Sequence, residues 1–512
     1  MKILFVMRHS GYVRNFESTL RMLCERGHTV DLAFQIAGTH WLLDPSDMAT
    51  QLADTYPGFS RTTIPLRDDA WGYAARELRL GLDYLRYLGP EYRNAPKLRA
   101  RAQREVPEYL LRRTTSGPGS TASGRALLSA TMRTFLRSIP TDARIDAFLD
   151  VHRPDVVALT PLIEPGAPQS EYVRSARALG IPTALCVASW DNLTNKGLIH
   201  GTVDLVTVWN DMMKEEAVSL HGVPAENVVV TGAQPFDHWF AWEPNVGREV
   251  FCDQVGLPPD RPYILYVCSS RFIAPEEVPF VRSWLQHLRQ SGIEAGVLIR
   301  PHPQNAEQWR HADMREYGPV VVWPAAGATP SDRDSRADYF NSIVHSAAVI
   351  GINTTAEIES AIIGRSVLTI LAPEFQATQE GTLHFEHLRR ANGGLVQVAR
   401  TFDEHVQQLT VTLRNPQVDS MRCRRFVEAF VRPFGIDMPA TPKVVEALES
   451  LARRQRTPAE RAPWWAPVLR APLAHRGNRL RRDALVAAEK KTLQKRRKHA
   501  RTHDREARRV TR

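Results

Sequence analysis

The sequence predicts an α/β protein with two parallel-sheet halves, a helical insertion in the first half and a basic C-terminal tail. Apolar strands alternate with amphipathic helices along most of the chain, which is the pattern of parallel sheets with helical connections. The alternation forms two separate series, beginning at Lys2 and at Tyr263. The length of 512 residues exceeds what one hydrophobic core usually supports, so we expect two domains.

The first series occupies residues 1–240, which we assign to an N-terminal domain. It opens with a strand at Lys2–Met7, a helix that ends at Gly27 and a second strand at Thr29–Phe34. Further strands are predicted at Asp155–Thr160, Thr183–Ala188, Leu205–Trp209 and Val228–Thr231. The first turn lacks a G-x-G-x-x-G sequence, so we do not expect a nicotinamide dinucleotide there.

An Arg-rich and aromatic segment, residues 60–148 in round numbers, interrupts this first series. Helical patterns occupy Trp71–Leu88 and Ala126–Leu136, and a Ser, Gly, Thr and Pro-rich stretch at Thr114–Gly124 separates them. We predict that the segment is a helical insertion in the N-terminal domain.

The second series occupies residues 241–452, which we assign to a C-terminal domain. Its strands are predicted at Tyr263–Cys268, Ala295–Arg300, Val320–Trp323, Val349–Ile352 and Val367–Leu371. Helical patterns at Val418–Phe430 and Pro442–Leu451 would close this domain.

The basic charge of the chain is concentrated in the tail, residues 453–512. This tail contains 20 Lys and Arg against 5 Asp and Glu, so that the rest of the chain carries a net charge of −5 within the total of +10. Clusters at Lys490–Lys491 and Lys495–Lys498, with Trp464 and Trp465 upstream, suit an anionic membrane surface. The same charges could bind nucleic acid non-specifically, or form a disordered or helical tail that only keeps the protein in solution.

The five cysteines are odd in number and scattered through apolar segments, which predicts reduced thiols in the cytoplasm. The apolar start Met1–Met7 is too short for a signal peptide, and no run reaches the length of a membrane helix. We therefore expect a cytoplasmic protein, peripheral on the inner membrane face if the tail binds lipid.

A turn in the second series carries the strongest functional signal. Asn353, Thr354 and Thr355 follow an apolar strand and begin a short helix that contains Glu357 and Glu359. The N-terminus of a helix attracts anions, and carboxylates one turn further on could accept ribose hydroxyls. The alternative is an ordinary capped helix whose two glutamates are only solvated.

Two more loops are predicted at the same edge of the second sheet. Ser269, Ser270 and Arg271 follow its first strand, while Arg300 and His302 lie in an Arg-Pro-His-Pro sequence after its second strand. Hydroxyl and guanidinium groups suit a diphosphate, and the prolines stiffen the backbone around Arg300 and His302. Together the three loops predict a nucleotide-diphosphate site, although each alone could be a solvated loop.

These motifs carry a resemblance to a known class of enzymes. The sequence Arg300–Pro303, the Thr turn, Glu359 and the stretch Gly364–Leu368 resemble the donor domain of GT-B glycosyltransferases that build bacterial surface glycopolymers. They are also similar to CDP-glycerol glycerophosphotransferases and to non-hydrolysing UDP-N-acetylglucosamine 2-epimerases. The resemblance implies two Rossmann-like domains facing across a cleft, with a final helix that crosses back to the first domain.

The resemblance also implies roles for individual residues. Thr354 and Thr355 would hold the diphosphate, Glu359 would take the ribose hydroxyls, and Arg300 and His302 would contact phosphate, with no metal and no other cofactor. The turn departs from the paired-glutamate pattern of the epimerases because Ile358 stands at the first Glu position, which favours transfer over epimerisation. An Asp332-Arg-Asp334 sequence is discounted as a metal motif because no strand precedes it.

The first domain is then expected to hold the acceptor. His9 follows the first strand, and Asp191 lies in the polar loop after Thr183–Ala188, so either could remove a proton from an acceptor hydroxyl. Trp190 could stack on a sugar ring, and Asn192 belongs to the same acceptor-side loop. A capping histidine and an ordinary Asx turn explain these residues equally well.

The function that these observations predict is a metal-independent glycosyltransferase with a nucleotide-diphosphate sugar donor, acting in cell-surface glycan or glycolipid synthesis. Its acceptor would be a glycan or a lipid-linked molecule. The enzyme alternatives are a CDP-glycerol-type glycerophosphotransferase and a nucleotide-sugar 2-epimerase. The non-enzyme alternative is a protein that binds a membrane, or less favourably nucleic acid, through its basic tail.

Overall fold

A computed structural model describes residues 1–35, 48–327, 329–330, 332–454 and 458–510, with the backbone alone for residues 493 and 495–510. Both halves are α/β layers in which helices cover the two faces of a parallel sheet. The prediction of two Rossmann-like domains is confirmed.

The N-terminal sheet has seven parallel strands. They are β1 (Lys2–Met7), β2 (Thr29–Phe34), β3 (Phe59–Thr63), β4 (Val156–Thr160), β5 (Thr183–Cys186), β6 (Leu205–Val208) and β7 (Val228–Val230). Their order across the sheet is β3-β2-β1-β4-β5-β6-β7. The order reverses between β1 and β4, and ligands of open α/β sheets bind at such a point.

Ten helices accompany this sheet among the described residues. They are α1 (Glu17–Glu25), α2 (Met48–Thr55), α3 (Ala70–Arg86), α4 (Pro96–Gln103), α5 (Glu108–Thr115), α6 (Ala122–Ser138), α7 (Ala143–His152), α8 (Ser170–Ala178), α9 (Asn192–Asn195) and α10 (Asp211–His221). The predicted helical insertion is present as α3 to α6, with a small core of its own that includes Leu82, Leu110 and Met132.

The strand β3 lies where the sequence predicts the start of the insertion. It reads Phe-Ser-Arg-Thr-Thr, and only Phe59 is buried. A strand at the edge of a sheet needs few apolar residues, because one side has no neighbouring strand to cover it. The insertion therefore begins after Thr63.

The C-terminal sheet has six parallel strands. They are β8 (Tyr263–Val267), β9 (Gly296–Arg300), β10 (Val320–Val322), β11 (Ala348–Gly351), β12 (Val367–Ile370) and β13 (Gln397–Ala399), in the order β10-β9-β8-β11-β12-β13. Nine further helices are described: α11 (Arg248–Val255), α12 (Val278–Gln290), α13 (Arg333–Val344), α14 (Thr355–Ile362), α15 (Phe385–Arg390), α16 (Phe402–Arg414), α17 (Ser420–Phe430), α18 (Thr441–Arg453) and α19 (Ala466–Val510).

The helix α18 returns to the N-terminal domain, as the resemblance implies. Val444, Val445 and Leu448 are fully buried in the same apolar cluster as Ile3 and Phe5 of β1. The start of α18 is fixed by a carboxylate near the end of the N-terminal domain, because Asp237 accepts hydrogen bonds from the backbone N–H of Ala440 (3.0 Å) and Thr441 (2.7 Å). The two domains are thus joined at both ends of the C-terminal half.

The basic tail begins as a docked helix and not as a loose segment. The first turns of α19 pack on α3 and α6, where Ala466 and Leu473 are buried. Arg476 forms an ion pair with Glu77 of α3 at 2.7 Å. A side chain at Gly477 would place its Cβ 2.0 Å from the carbonyl oxygen of Ala70, so the close crossing of the two helices requires glycine.

Beyond this contact, the side chains of α19 described up to residue 492 are largely exposed. Within the described ranges, no helix is both long enough and apolar enough to cross a membrane. The side chains of the predicted Lys495–Lys498 cluster lie outside the described ones.

Candidate active site

The carboxyl ends of the two sheets bring the predicted loops together across the domain boundary. The loop after β5 carries Trp190 and Asp191, and the turn after β11 carries Thr354 and Thr355. The indole Nε1 of Trp190 donates a hydrogen bond to the Thr355 hydroxyl at 3.1 Å. The predicted acceptor-side loop and donor-side turn are therefore in direct contact.

The two glutamates of α14 have different environments. Glu357 is 0% exposed, and its Oε2 accepts a hydrogen bond from the backbone N–H of Thr354 at 2.8 Å. It lies so close to β11 that a Cβ on Gly351 would approach its Oε1 to 2.9 Å. Burial raises the pKa of Glu357 to about 8. Glu357 thus caps the helix from inside and is not available to a ribose.

Glu359 lies one turn into the same helix and is only partly buried. The Tyr339 hydroxyl donates a hydrogen bond to its Oε2 at 2.5 Å. Burial raises the pKa of Glu359 to about 7, although the Tyr339 hydrogen bond and the positive charge of Arg14 oppose the rise. Because Arg14 belongs to the N-terminal domain, Glu359 lies within electrostatic reach of the opposite side of the cleft. Its Oε1 accepts no hydrogen bond from any described residue.

Asn353 ties the turn to a second loop of the same domain. Its buried side-chain amide donates hydrogen bonds to the carbonyl oxygen of Thr378 (2.8 Å) and to the hydroxyl of Thr382 (3.2 Å). Gln379, between them, donates to the carbonyl oxygen of Ile352 at 3.0 Å. The turn after β11 and the loop after β12 are therefore held together as one unit.

Arg300 is already engaged within its own domain. It is 7% exposed, and its Nη1 forms an ion pair with Asp338 at 2.8 Å. Its guanidinium carbon lies 5.1 Å from the ring centre of Tyr339. The structure therefore places Arg300 behind Tyr339 and Glu359 as a support, in place of the phosphate contact that the resemblance implies.

His302 is better placed for a ligand. Its Nδ1 accepts a hydrogen bond from the backbone N–H of Gln304 at 3.1 Å, so its proton resides on Nε2. Burial, and then the charge of Arg14, lower the pKa of His302 to about 4. At neutral pH it is an uncharged donor whose Nε2 bonds to no described residue.

The loop after β8 differs from the prediction at its first residue. Ser269 is 0% exposed, and its N–H points into the domain, where it donates to both oxygens of the buried Glu277 at 3.2 and 3.1 Å. The Ser269 hydroxyl is buried as well, so it does not face the cleft in this arrangement. Ser270 is partly exposed, and Arg271 is exposed with no ion pair to any described residue.

Asp191 is held ionised in the cleft. Its Oδ1 accepts hydrogen bonds from the Ser189 hydroxyl at 2.7 Å and the Asn192 side-chain amide at 3.3 Å. Burial works to raise the pKa of Asp191, but Lys196 and His384 together hold it below its ordinary value. Oδ2 receives no hydrogen bond from any described residue, so an acceptor hydroxyl could bind there.

The other two acceptor-side residues are buried. Trp190 is 3% exposed and meets the rings of His384 and Phe430 edge-on, with ring centres 4.7 and 6.4 Å away. A ring enclosed in this way cannot stack on a sugar. Asn192 is also buried, and its side chain serves Asp191. Sequence alone did not reveal that Trp190 of this polar loop packs against residues of the other domain.

His9 begins the turn after β1, and its ring centre lies 4.7 Å from that of Tyr12. Glu164 is near the same sheet edge and pairs with Arg8 at 2.8 Å and with Lys196 at 3.6 Å. His9 thus belongs to a charged wall of the cleft, and its role as a base remains a prediction.

The helical insertion holds the Asp191 loop from behind, which the sequence did not indicate. Four of its side chains bind successive carbonyl groups of α9 and the residue after it. Arg86 donates to Leu193 O (3.2 Å), Tyr92 to Thr194 O (3.1 Å), Arg101 to Asn195 O and Tyr87 to Lys196 O (2.6 Å). The insertion therefore fixes the position of the candidate base.

The Asp332-Arg-Asp334 sequence has a structural explanation. The Asp332 side chain caps α13 by accepting a hydrogen bond from the backbone N–H of Ser335 at 2.9 Å. Across the described ranges, no group of three or more His, Cys, Asp or Glu side chains is arranged to hold a metal ion.

Two parallel sheets that face each other at their carboxyl ends, with a last domain helix that returns to the first sheet, define the GT-B type of fold. Solved structures agree with this class. The UDP-GlcNAc 2-epimerase from Methanocaldococcus jannaschii is 10% identical to this chain, with a TM-score of 0.50 over 88% of this chain and 100% of that chain.

A glycosyltransferase from Rickettsia africae is 11% identical, with a TM-score of 0.49 over 89% of this chain and 99% of that chain. At 10% identity, the likeness to the UDP-GlcNAc 2-epimerase establishes the fold alone. No family model and no curated protein sequence matches the chain.

Proposed function

We propose that the protein is a glycosyltransferase that uses a nucleotide-diphosphate sugar as donor and does not use a metal. The observation that carries the proposal is the pair of Tyr339 and Glu359 beside the Asn353–Thr355 turn. It places a carboxyl group with one unpaired oxygen next to a helix N-terminus, at the carboxyl edge of a parallel sheet. A carboxyl group suited to a diol would thereby lie beside a helix N-terminus suited to phosphate.

The donor would lie along the C-terminal wall of the cleft. Glu359 would accept the ribose hydroxyls through Oε1, and the diphosphate would meet Thr354 and Thr355 at the positive end of α14. The Nε2–H of His302 would donate to a phosphate oxygen, and Arg271 and the Ser270 hydroxyl are the exposed groups of the neighbouring loop. The UDP-GlcNAc 2-epimerase named above shows the same fold acting on such a nucleotide sugar.

Asp191 is the favoured base on the opposite wall. The acceptor hydroxyl gives its proton to the Asp191 carboxylate while its oxygen attacks the anomeric carbon of the sugar. The bond from that carbon to the diphosphate breaks, and its electron pair remains on the departing nucleoside diphosphate. The helix end and His302 stabilise the negative charge that develops there. Asp191 then returns the proton to solvent.

The acceptor that we propose is a glycan or a lipid-linked molecule of the cell surface. The exposed part of α19 supports the lipid-linked form, because Arg479, Arg481, Arg482, Lys490 and Lys491 are all exposed on one extended helix. Such a cationic segment would hold the enzyme at an anionic membrane face.

The donor class is tested by thermal shift against UDP-, GDP-, CDP- and dTDP-linked donors. A ligand that binds only the folded state raises the melting temperature, and we expect one nucleotide to do so. Glu359→Gln should abolish the shift, because an amide cannot accept two ribose hydroxyls as a carboxylate can. Glu357→Gln on the same helix is the matched control and should keep it. A shift that survives in Glu359→Gln would contradict the proposed ribose site.

Epimerisation is the second candidate, and the Methanocaldococcus jannaschii neighbour is the observation that favours it. The two reactions differ in their need for an acceptor. Incubation with the bound donor alone, followed by NMR of the sugar, separates them. A new nucleotide-sugar isomer without added acceptor would establish the epimerase, and an unchanged donor would favour transfer.

A further inference from the structure

His384 is a buried histidine that has no part in the donor and acceptor roles proposed above. It immediately precedes α15, at the end of the loop that follows β12, and it is 3% exposed. Its Nδ1 is buried and has no hydrogen-bond partner. Folded proteins rarely leave a buried polar atom unpaired without a reason, so the surroundings of His384 need an explanation.

The loop that carries His384 is tied to the donor turn by hydrogen bonds. Asn353 bonds to Thr378 and Thr382 of that loop, and Gln379 bonds back to Ile352 beside the turn. His384 is therefore fixed to the C-terminal domain. The contacts of His384 with the N-terminal domain therefore exist only while the two domains are packed together.

The residues that it meets there are those of the candidate base. The Trp190 ring lies edge-on to the imidazole, with centres 4.7 Å apart. Asp191 is the next residue, and the charges of Asp191 and His384 influence each other. The Thr355 hydroxyl of the donor turn accepts a hydrogen bond from the same Trp190. The Asp191 loop is thus held between the insertion behind it and His384 in front.

We propose that His384 is a positioning residue for Asp191, supplied by the opposite domain, so that the base is complete only when the donor domain is closed on the acceptor domain. The inference rests on the proposed function, because it takes Asp191 as the group that removes the acceptor proton. His384 does not itself contact substrate in this arrangement, since it is enclosed by Trp190 and its own loop.

The charged groups around the pair are consistent with this role. Asp191 faces Lys196 from its own loop, His384 from the other domain and the Tyr12 hydroxyl from the turn after β1. His384 faces Asp191 and His387, whose Nε2 is 2.7 Å from Glu216. Burial lowers the pKa of His384 to about 4 although Asp191 opposes the fall. At neutral pH the imidazole is therefore uncharged, and it becomes a cation beside Asp191 only in acid.

The first test compares His384→Gln with His405→Gln. His405 is as deeply buried in the same domain, and both of its ring nitrogens lack partners, but it contacts Trp284 away from the cleft. We expect His384→Gln to lower kcat by about tenfold or more, with donor affinity unchanged. The acid limb of kcat/KM should move to higher pH, because the variant lacks the positive charge that His384 acquires in acid and that favours ionised Asp191 there. His405→Gln should leave both unchanged.

An equal loss of donor affinity, or an acid limb that stays in place, would overturn the proposal, because a merely structural histidine would give those results. The second test does not need activity. NMR titration of the His384 ring in the full chain should give a lower pKa in Asp191→Asn than in the native protein, and no change in the His405→Gln protein. An unchanged His384 pKa in Asp191→Asn would overturn the pairing of His384 with Asp191. Absence of turnover with every donor would instead count against the proposed function, and the NMR result does not depend on turnover.

Discussion

At the scale of single residues, burial decides which carboxyl groups of the C-terminal domain can serve a ligand. Glu357 and Glu359 are two positions apart on α14, yet one pairs with the backbone inside the domain and the other with Tyr339 at the cleft. Glu277 resembles Glu357, since it is fully buried and bonds to the backbone N–H of Ser269. Glu357 also has an unpaired oxygen, but that oxygen is buried inside the domain. Of these three carboxyl groups, Glu359 alone combines a partner that fixes it with an unpaired oxygen on a side chain that is only partly buried.

The buried carboxyl groups make stability depend on pH. Burial raises the pKa of Glu277 to about 8, well above the ordinary value of about 4.3 for an unfolded chain. Between these values the folded state holds a proton that the unfolded state releases, so the free energy of unfolding falls as pH rises from about 4.3 to 8. Glu277→Gln should remove this fall, which is on the order of 5 kcal/mol because each pKa unit corresponds to about 1.4 kcal/mol.

Urea unfolding of the two proteins at pH 5 and pH 8 measures the effect. The variant should gain on the native protein only at the higher pH. An advantage of the same size at both values would mean that the amide packs better, and that ionisation of Glu277 is not the cause.

Tyr339 should control donor affinity through Glu359. Tyr339→Phe removes the 2.5 Å hydrogen bond that opposes the rise in the pKa of Glu359. A hydrogen bond to a charged group contributes about 1.5–3 kcal/mol, so we expect donor affinity to fall by roughly tenfold or more at pH 7. The pH midpoint of donor binding should also move upward in the variant, because the Glu359 carboxylate is less stabilised.

Isothermal titration calorimetry from pH 6 to 9 checks both results. Tyr263→Phe is the control, since this buried tyrosine also donates one hydrogen bond, to the carbonyl oxygen of Ser342 at 2.8 Å, away from the cleft. If the two variants bind donor equally well, Glu359 does not depend on Tyr339.

Sequence could locate part of this site and not the rest. The turn, Glu359 and Asp191 are visible because strand ends, small hydroxyl residues and acidic residues follow one another in the chain. The burial of Ser269 and Trp190 depends on partners from distant segments, so no local pattern could reveal it. His384 stands in no motif, and only the folded chain shows it beside Asp191.

At the scale of elements, the hydrogen bonds made by the insertion explain why it is rich in Arg and aromatic residues. The short helix α9 and the residue after it are held through their carbonyl groups, which accept hydrogen bonds from Arg86, Tyr87, Tyr92 and Arg101. Sequence patterns predicted α3 and α6 but neither the two short helices between them nor these hydrogen bonds, because a hydrogen bond to a distant backbone leaves no periodicity. The edge strand β3 was missed for a related reason, since a strand with a single buried residue has no apolar pattern.

The insertion should therefore affect turnover more than donor binding. Tyr92→Phe removes the 3.1 Å hydrogen bond to Thr194 O and leaves the ring in place. The expected loss of stability is about 1 kcal/mol. Because the loop beside Asp191 loosens, kcat should fall by several-fold while donor affinity stays constant, and amide exchange at residues 192–196 should become faster.

Tyr84→Phe is the matched control within the insertion. Its hydroxyl bonds only to Thr114, at 3.2 Å, inside the helical cluster. Comparable losses of kcat in the two variants would show that general destabilisation of the insertion, and not the grip on α9, is responsible.

At the scale of the whole molecule, α19 carries the basic charge on a helix that lies outside the candidate active-site cleft. Its first turns are fixed to the insertion by the Arg476–Glu77 ion pair and by the close crossing at Gly477. The helix then continues past the domain with exposed basic side chains. The same insertion thus holds both the base loop and the cationic arm, so an acceptor at a membrane face would be presented to the N-terminal wall.

Removing charge from this arm should release the protein from anionic membranes. In the full chain we would replace Arg481, Arg482, Lys490 and Lys491 with Gln, which keeps side-chain length and avoids the docked part of the helix. Each basic residue near an anionic surface contributes about 1 kcal/mol, so affinity for phosphatidylserine vesicles should fall by more than about a hundredfold. Native binding should also weaken with salt, and the donor-induced thermal shift should be identical in both proteins. Native protein that ignores such vesicles at physiological ionic strength would remove the membrane from the proposal and leave the glycan acceptor as the remaining choice.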